Sequence, residues 1–241
     1  MKTVILAAGI ASRLRPLTDN TPKCLLKIGG KRILEMTIEN LLETNNSEII
    51  IVTGYRENMI REFVAKRFPE LNVTYIYNNL YTSTNNIYSL WLTKDAVLGD
   101  DMMMMDSDIV FDKSIITKLV RSGRKNCLAL KRHEVHDEEI KVKTDSIGRV
   151  IEISKEVDPA QAAGESIGIE LFRKETLYDL FRIIEKKVVE EKKVNQFYEA
   201  AFQELSDLYT VDTTEFFCME IDTAEDLTAA EGIVLSHISQ K

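Results

Sequence analysis

The sequence predicts an α/β protein, a mostly parallel sheet flanked by helices with a small antiparallel appendage. Three observations carry that reading. Short apolar, β-branched runs recur at residues 4–6, 48–53 and 73–77, each suited to a buried strand. The segments between them carry apolar residues at helical spacing, joined by short connections. Such a β-α-β-α-β order favours parallel neighbours with helices on both faces.

In chain order, residues 4–6 form the first strand, and the small residues Ala7, Ala8 and Gly9 follow. They leave room for a ligand to lie against main-chain amides. Arg13 and Lys23 place two cations beyond that turn, as a polyphosphate requires. Neither G-x-x-x-x-G-K-[ST] nor G-x-G-x-x-G is present. Leu34, Ile38, Leu41 and Leu42 predict a helix ending near Asn45 and Asn46. After the second strand, Gly54 and Tyr55 turn the chain into a helix with Ile60, Phe63 and Val64 on one face. Ligands of such sheets lie beyond the carboxyl ends of the strands, which is where the first loop falls.

Residues 78–91 read as a polar loop running into a helix capped near Thr84 or Asn85, with Trp91 in the core. Residues 100–111 are an apolar run ending in acid, its four methionines packing a strand. Asp106 and Asp108, two apart in extended backbone, point to the same side. Like charges that close repel unless a cation lies between them or one holds a proton. A hard divalent cation resolves the repulsion, and capping of the next turn is the alternative. Asp112 reads as the N-cap of a helix bearing Ile115, Ile116, Leu119 and Val120, and residues 126–130 as the next strand.

From Lys131 the texture becomes charged, and alternating segments at 140–143 and 150–153 surround a turn at Ser146, Ile147 and Gly148. This predicts the antiparallel appendage at one sheet edge. His133 and His136 have no third partner at metal-ligand spacing. Residues 164–172 read as a strand in which Gly164 and Gly168 permit close approach of a ligand. Leu177, Leu180, Phe181, Ile184 and Val188 define a long amphipathic helix whose charges at 185–187 and 190–193 form a solvated face. Residues 195–199 open another helix. Aromatic plus acid there suits a quaternary ammonium or an amine, and core packing accounts equally well for Phe197. Residues 216–223 read as a strand leading into a helix, with Thr223 and Asp226 as a capping box. Asp222 alone reads as a cap, and the last helix buries Leu227, Val234, Leu235 and Ile238.

Length and composition bound the function. A chain of 241 residues suits one large α/β domain. The net charge of −8 argues against nucleic acid. Three scattered cysteines, Cys24, Cys127 and Cys218, give neither a disulfide framework nor a zinc site. No signal peptide or apolar run of membrane length is expected, so a reducing cytoplasm is the expected location and membrane insertion is not.

The stretch Leu6-Ala7-Ala8-Gly9-Ile10-Ala11-Ser12-Arg13-Leu14-Arg15-Pro16-Leu17-Thr18, closed by Pro22-Lys23, resembles a family signature. It is that of the nucleotidyltransferases that activate phosphorylated small molecules with an NTP, L-A-A-G-x-(G/A)-x-R-L-x-P-L-T…P-K. Ala11 stands for the usual second glycine and Ser12 for threonine. The cluster Ser83-Thr84-Asn85-Asn86 resembles the cytidylyltransferase branch, near the phosphocholine and 2-aminoethylphosphonate cytidylyltransferase-like enzymes. The resemblance implies a Rossmann-like fold and a single domain, with residues 1–130 as the NTP-binding half. Residues 131–241 would be the half for the acceptor and the second metal ligand.

It also implies roles. Leu6, Ala7, Ala8 and Gly9 contact base and ribose through backbone, and Ser83, Thr84, Asn85 and Asn86 read the base. Arg13 and Lys23 are the catalytic cations. Asp108 and Asp222, the latter in a Glu-Ile-Asp-Thr-x-Glu-Asp-Leu element, hold Mg²⁺ with Asp106 assisting. Lys155, in an element lacking the family's proline, contacts the acceptor phosphate, and Glu165, Tyr198 and Glu199 build the acceptor pocket. The implied partners are CTP and a phosphorylated amino alcohol such as phosphocholine, with homodimerisation left open. The alternatives are a 2-aminoethylphosphonate enzyme, a sugar-1-phosphate enzyme using another NTP, and a nucleotide-binding regulatory subunit without activity.

Overall fold

A computed structural model describes residues 1–238, with side chains to residue 234. Leu235 and Ile238, expected on the buried face of the last helix, lie outside the described side chains. The chain begins with β1 (Lys2–Ala7) and a short hairpin, β2 (Lys27–Ile28) and β3 (Lys31–Arg32). Helix α1 (Ile33–Glu43) leads to β4 (Ile49–Thr53), and α2 (Glu57–Arg67) leads to β5 (Val73–Tyr77). Helices α3 (Asn86–Trp91) and α4 (Lys94–Val97) precede β6 (Met102–Asp106) and β7 (Ile109–Phe111). Then come α5 (Ser114–Arg121), β8 (Cys127–Lys131), β9 (Lys141–Thr144), β10 (Val150–Ser154) and β11 (Gly164–Phe172). The chain continues through α6 (Lys174–Glu185), α7 (Glu199–Phe202), β12 (Tyr209–Asp212), β13 (Cys218–Glu220) and α8 (Ala224–Ile238).

Among the described residues, nine strands form one sheet with the path β10-β9-β11-β6-β1-β4-β5, and β8 and β12 extend from β11. The first four sheet strands pair in parallel, with β1 between β4 and β6. The β9–β10 hairpin adds antiparallel strands at the far edge, and β11 joins the two halves by pairing antiparallel with β6, β8 and β9. Period-two alternation divides the strands between two cores. Val4, Leu6, Met102 and Met104 face α3, α6 and α7, while Ile5, Ile51, Met103 and Met105 face α1, α2 and α5.

Several local expectations are corrected. Leu42 and Val120 are exposed, because the buried arcs of α1 and α5 are filled by Thr37 and Ile116. Gly164 and Gly168 make room for the protein itself: a Cβ at Gly164 would meet the Lys131 carbonyl at 2.4 Å, and one at Gly168 the Asp106 carboxylate at 2.7 Å. Lys187 is buried and paired with Glu204 at 2.5 Å, so that charged run is not wholly a solvated face. Residues 195–198 form a turn ahead of the short α7, which points Tyr198 inward and leaves Phe197 43% exposed. Strand β12, short and flanked by polar residues, gave no periodic signal.

Candidate active site

The carboxyl ends of β1 and β6 open on a cleft of about 440 Å³. Leu6, Ala7, Ala8 and Gly9 line one wall. The loop beyond them curls back: Ala8 accepts from the Tyr55 amide at 3.0 Å, and Ala11, at φ 53°, accepts from the Thr18 hydroxyl at 2.8 Å. A Cβ on Gly9 would have no neighbour within 4 Å, so the space above that backbone is open.

Pro22 precedes a 3-10 turn, Lys23–Leu25, whose Cys24 and Leu25 are buried. Anchored there, the Lys23 side chain is only 10% exposed and meets Asp108 at 2.6 Å and Asp222 at 2.5 Å. Arg13 holds the other Asp222 oxygen at 2.6 Å. The acids are brought together by main chain. β7 pairs antiparallel with β13, placing Ile109 opposite Glu220, and the Ile221 amide donates to the Asp108 carbonyl at 3.0 Å. The Asp222 amide is capped by Asp226 at 3.0 Å, and Thr223 completes the capping box. Burial alone would lower the Lys23 pKa, but Asp108 and Asp222 outweigh it and hold the pKa above its ordinary value.

Asp108, Glu220 and Asp222 each offer an oxygen within 4.8 Å of the others. Hard oxygen donors in that arrangement suit a divalent cation, and Asp108 Oδ1 is buried without a partner among the described residues. The residues therefore fit Mg²⁺. Glu220 opens to solvent, yet crowding by the cleft walls and the charges of Asp108 and Asp222 raise its pKa. It was missed as a candidate, although Glu220 and Asp222 repeat the alternate-acid pattern of Asp106 and Asp108.

Asp106 lies apart from that trio. A turn at Ser107–Asp108 ends the extended backbone, so strand alternation does not set the direction of Asp108, although both aspartates line the cleft. Asp106 accepts instead from the Tyr198 hydroxyl at 2.7 Å. Burial and the neighbouring Asp108 push its carboxyl well above the usual range.

Thr84, Asn85 and Asn86 line the cleft, whereas Ser83 is exposed and donates to the Leu80 carbonyl at 3.2 Å. The loop is braced from below by buried Asn78, which donates to Thr84 at 3.2 Å and to Ser89 at 3.1 Å. Asn85 caps α3, its side chain accepting from the Asn86 amide. Asn86 in turn accepts from the Tyr198 amide at 2.9 Å, tying this loop to the acceptor-side segment.

Lys155, Glu165, Tyr198 and Glu199 all line the cleft. Lys155 pairs with Glu138 at 3.1 Å and lies 5.5 Å from the centre of the Phe197 ring. Glu165 meets His133 at 2.8 Å, and with Glu139 these form a second group of ligand-type atoms within 4.8 Å of one another. The third partner of His133 thus comes from a neighbouring strand, where spacing could not reveal it. Tyr198 is 0% exposed, and Glu199, also buried, is pushed up to about 7 by burial. Behind them is Glu170, missed inside an apolar strand and 0% exposed. Neither of its oxygens holds a hydrogen bond of ordinary length among the described residues, the Ser166 hydroxyl lies alongside, and burial next to Asp106 and Glu199 raises its pKa strongly.

The pattern of the Nucleotidyl transferase family matches residues 2–232. Choline-phosphate cytidylyltransferase of Streptococcus pneumoniae is 35% identical over 122 residues, which is 51% of this chain and 51% of that protein. The same-named protein of Haemophilus influenzae is 35% identical over 153 residues, 64% of this chain and 62% of that one. The matches thus span less than two thirds of either relative's length. The solved CTP:phosphocholine cytidylyltransferase from Streptococcus pneumoniae superposes with a TM-score of 0.80 at 25% identity, covering 97% of this chain and 98% of that one. Among the described residues, no helix is long and apolar enough to cross a membrane.

The raised Glu199 pKa has a stability consequence. Its carboxyl holds a proton in the folded chain up to about pH 7, against an ordinary value of 4.5. Its contribution is therefore greatest below the ordinary value and is lost as pH rises through the folded one. Glu199→Gln removes that loss. Urea unfolding at about pH 5 and about pH 8.5 should show the variant gaining on the native chain at the higher pH, by about 3 kcal/mol at most.

Proposed function

The chain belongs to the Nucleotidyl transferase family, and from that premise we propose that it transfers CMP from CTP to a phosphorylated amino alcohol or amine, releasing pyrophosphate. The observation that carries this reading is the meeting of Lys23 and Arg13 with Asp108 and Asp222 in one cleft, from segments 199 residues or more apart in sequence for the pairs to Asp222. A triphosphate needs cations at its oxygens, and a magnesium nucleotide needs carboxylates within reach of the same phosphates.

In this reaction an acceptor phosphate or phosphonate oxygen forms a bond to the α-phosphorus of CTP while the bond to the bridging β-phosphate oxygen breaks. The acceptor anion is already nucleophilic at neutral pH, so no general base is required and catalysis is positioning plus charge neutralisation. Arg13, at the mouth, grips the β- and γ-phosphates. Lys23, deeper, faces the α-phosphate and the incoming acceptor. Asp108, Glu220 and Asp222 would hold Mg²⁺, which when bound neutralises phosphate charge. The open backbone at Ala7 to Gly9 admits the nucleoside, and the amides and hydroxyl of Thr84, Asn85 and Asn86 offer both donors and acceptors to cytosine. Lys155 meets the acceptor's anionic end.

The buried acids Asp106, Glu170 and Glu199 suit a cationic acceptor head. Phosphocholine is the form favoured by the resemblance to choline-phosphate cytidylyltransferases. One observation favours a second form, an N–H-bearing amine such as 2-aminoethylphosphonate. The Tyr198 ring packs at a tilt against Phe202, with centroids 4.9 Å apart, and the Phe197 ring already lies by Lys155. A quaternary ammonium depends on free aromatic faces. Glu199 Oε2 and Ser166 Oγ, both in cleft-lining residues, are buried without a hydrogen-bond partner among the described residues, and a primary ammonium can donate to them.

Pyrophosphate release should be greatest with CTP and an amino acceptor in a panel of NTP and acceptor pairs. Preference for UTP or dTTP with a hexose 1-phosphate contradicts the reading, as does tight CTP binding without release from any pair. Faster turnover of 2-aminoethylphosphonate than of phosphocholine selects the second form. Lys23→Ala and Asp108→Ala should each lose about 10²-fold or more in kcat, the scale of removing one charge-stabilising group. Near-normal turnover in both contradicts their assignment.

A further inference from the structure

Lys23 occupies an unusual place: its ammonium lies against two of the three carboxylates that fit a divalent cation. Nζ is 2.6 Å from Asp108 Oδ2 and 2.5 Å from Asp222 Oδ1. A dication held by these carboxylates would stand within a few ångströms of that ammonium in a partly desolvated site, where the like charges repel. The resident ammonium therefore opposes a dication for as long as it stays between the two aspartates.

The two cations of the site differ in how easily they can leave. The Arg13 side chain is 60% exposed and can turn its guanidinium into water with little change in free energy. Lys23 is 10% exposed and rises from a turn whose next two residues are core. If a metal displaced it, its charge would lose both of its contacting carboxylates while still inside the protein, a costly outcome. Phosphate oxygens entering the cleft remove that obstacle by giving Lys23 new partners.

We propose that Lys23 makes metal uptake conditional on the nucleotide: it is the resident counter-ion of Asp108 and Asp222, and it releases them only when phosphate takes their place as its partner. The proposal rests on reading Asp108, Glu220 and Asp222 as the metal site. It follows that metal and nucleotide enter together, and that the free chain holds divalent cations weakly despite three converging acids.

The test is Mn²⁺ binding to the full chain without nucleotide, followed by electron paramagnetic resonance, with folding checked by circular dichroism. The native chain should bind weakly and Lys23→Met at least about tenfold more tightly. Lys23→Arg, which keeps the charge, should stay weak, and Arg13→Ala should change affinity less than about threefold. Lys23→Gln should show the same gain as Lys23→Met, and serves if the latter does not fold. The gain should vanish in Lys23→Met/Asp108→Asn. Equal affinities in the native chain and the neutral Lys23 variants, with binding still lost on Asp108→Asn, overturn the proposal and leave the metal site standing. No binding in any variant, or binding indifferent to Asp108→Asn, removes the metal-site reading and the proposal with it.

Discussion

One buried lysine shared by two aspartates from distant parts of the chain is the contact on which the rest of the site depends. Lys23 comes from a turn after the first strand, Asp108 from the end of the β6 run, and Asp222 from the cap of the last helix. A desolvated ammonium is tolerated only with anions in contact. The loop that carries it, the β7–β13 ladder and the start of α8 are therefore held to one arrangement. The same arrangement leaves Arg13 at the mouth and Glu220 beside the pair.

Beyond this pair the cleft changes character. Near Lys23 positive and negative groups neutralise one another. On the acceptor side Asp106, Glu170 and Glu199 are enclosed around Tyr198, and burial pushes all three carboxyls up. Gly168 matters here, since any side chain at that position would collide with Asp106. Asn86 links the two regions by accepting from the Tyr198 amide, so the loop next to the nucleotide side and the wall of the acceptor side are mechanically joined.

Much of this was legible in the sequence, for identifiable reasons. The strands β1, β4 and β6 are apolar runs buried on both faces, the strongest local signal a parallel sheet leaves. Strand β5, only partly buried at the sheet edge, was readable from its β-branched and aromatic residues. The stretch from Leu6 to Lys23 was readable because small residues, prolines and cations stand in a fixed order. Other features escaped because they depend on partners distant in sequence. Glu170 lies in a run that otherwise reads as apolar strand. Glu220 becomes a neighbour of Asp108 only through the β7–β13 register. The hydrogen bond from Tyr198 to Asp106 joins residues 92 apart in sequence and left no local trace. A turn, not a helix, carries Phe197 and Tyr198, and both line the cleft, Phe197 partly exposed and Tyr198 buried.

The most direct measurement of the central claim is a double-mutant cycle on unfolding free energy, with Lys23→Met, Asp222→Asn and the double variant, in chelator and without nucleotide. A stabilising coupling of about 1–3 kcal/mol is predicted, since either single change takes from the other partner one of its two counter-ions, Asp108 remaining beside Lys23 and Arg13 beside Asp222. A coupling within about 0.3 kcal/mol of zero would mean that the two residues do not hold one another, and the account of the site would fail with them.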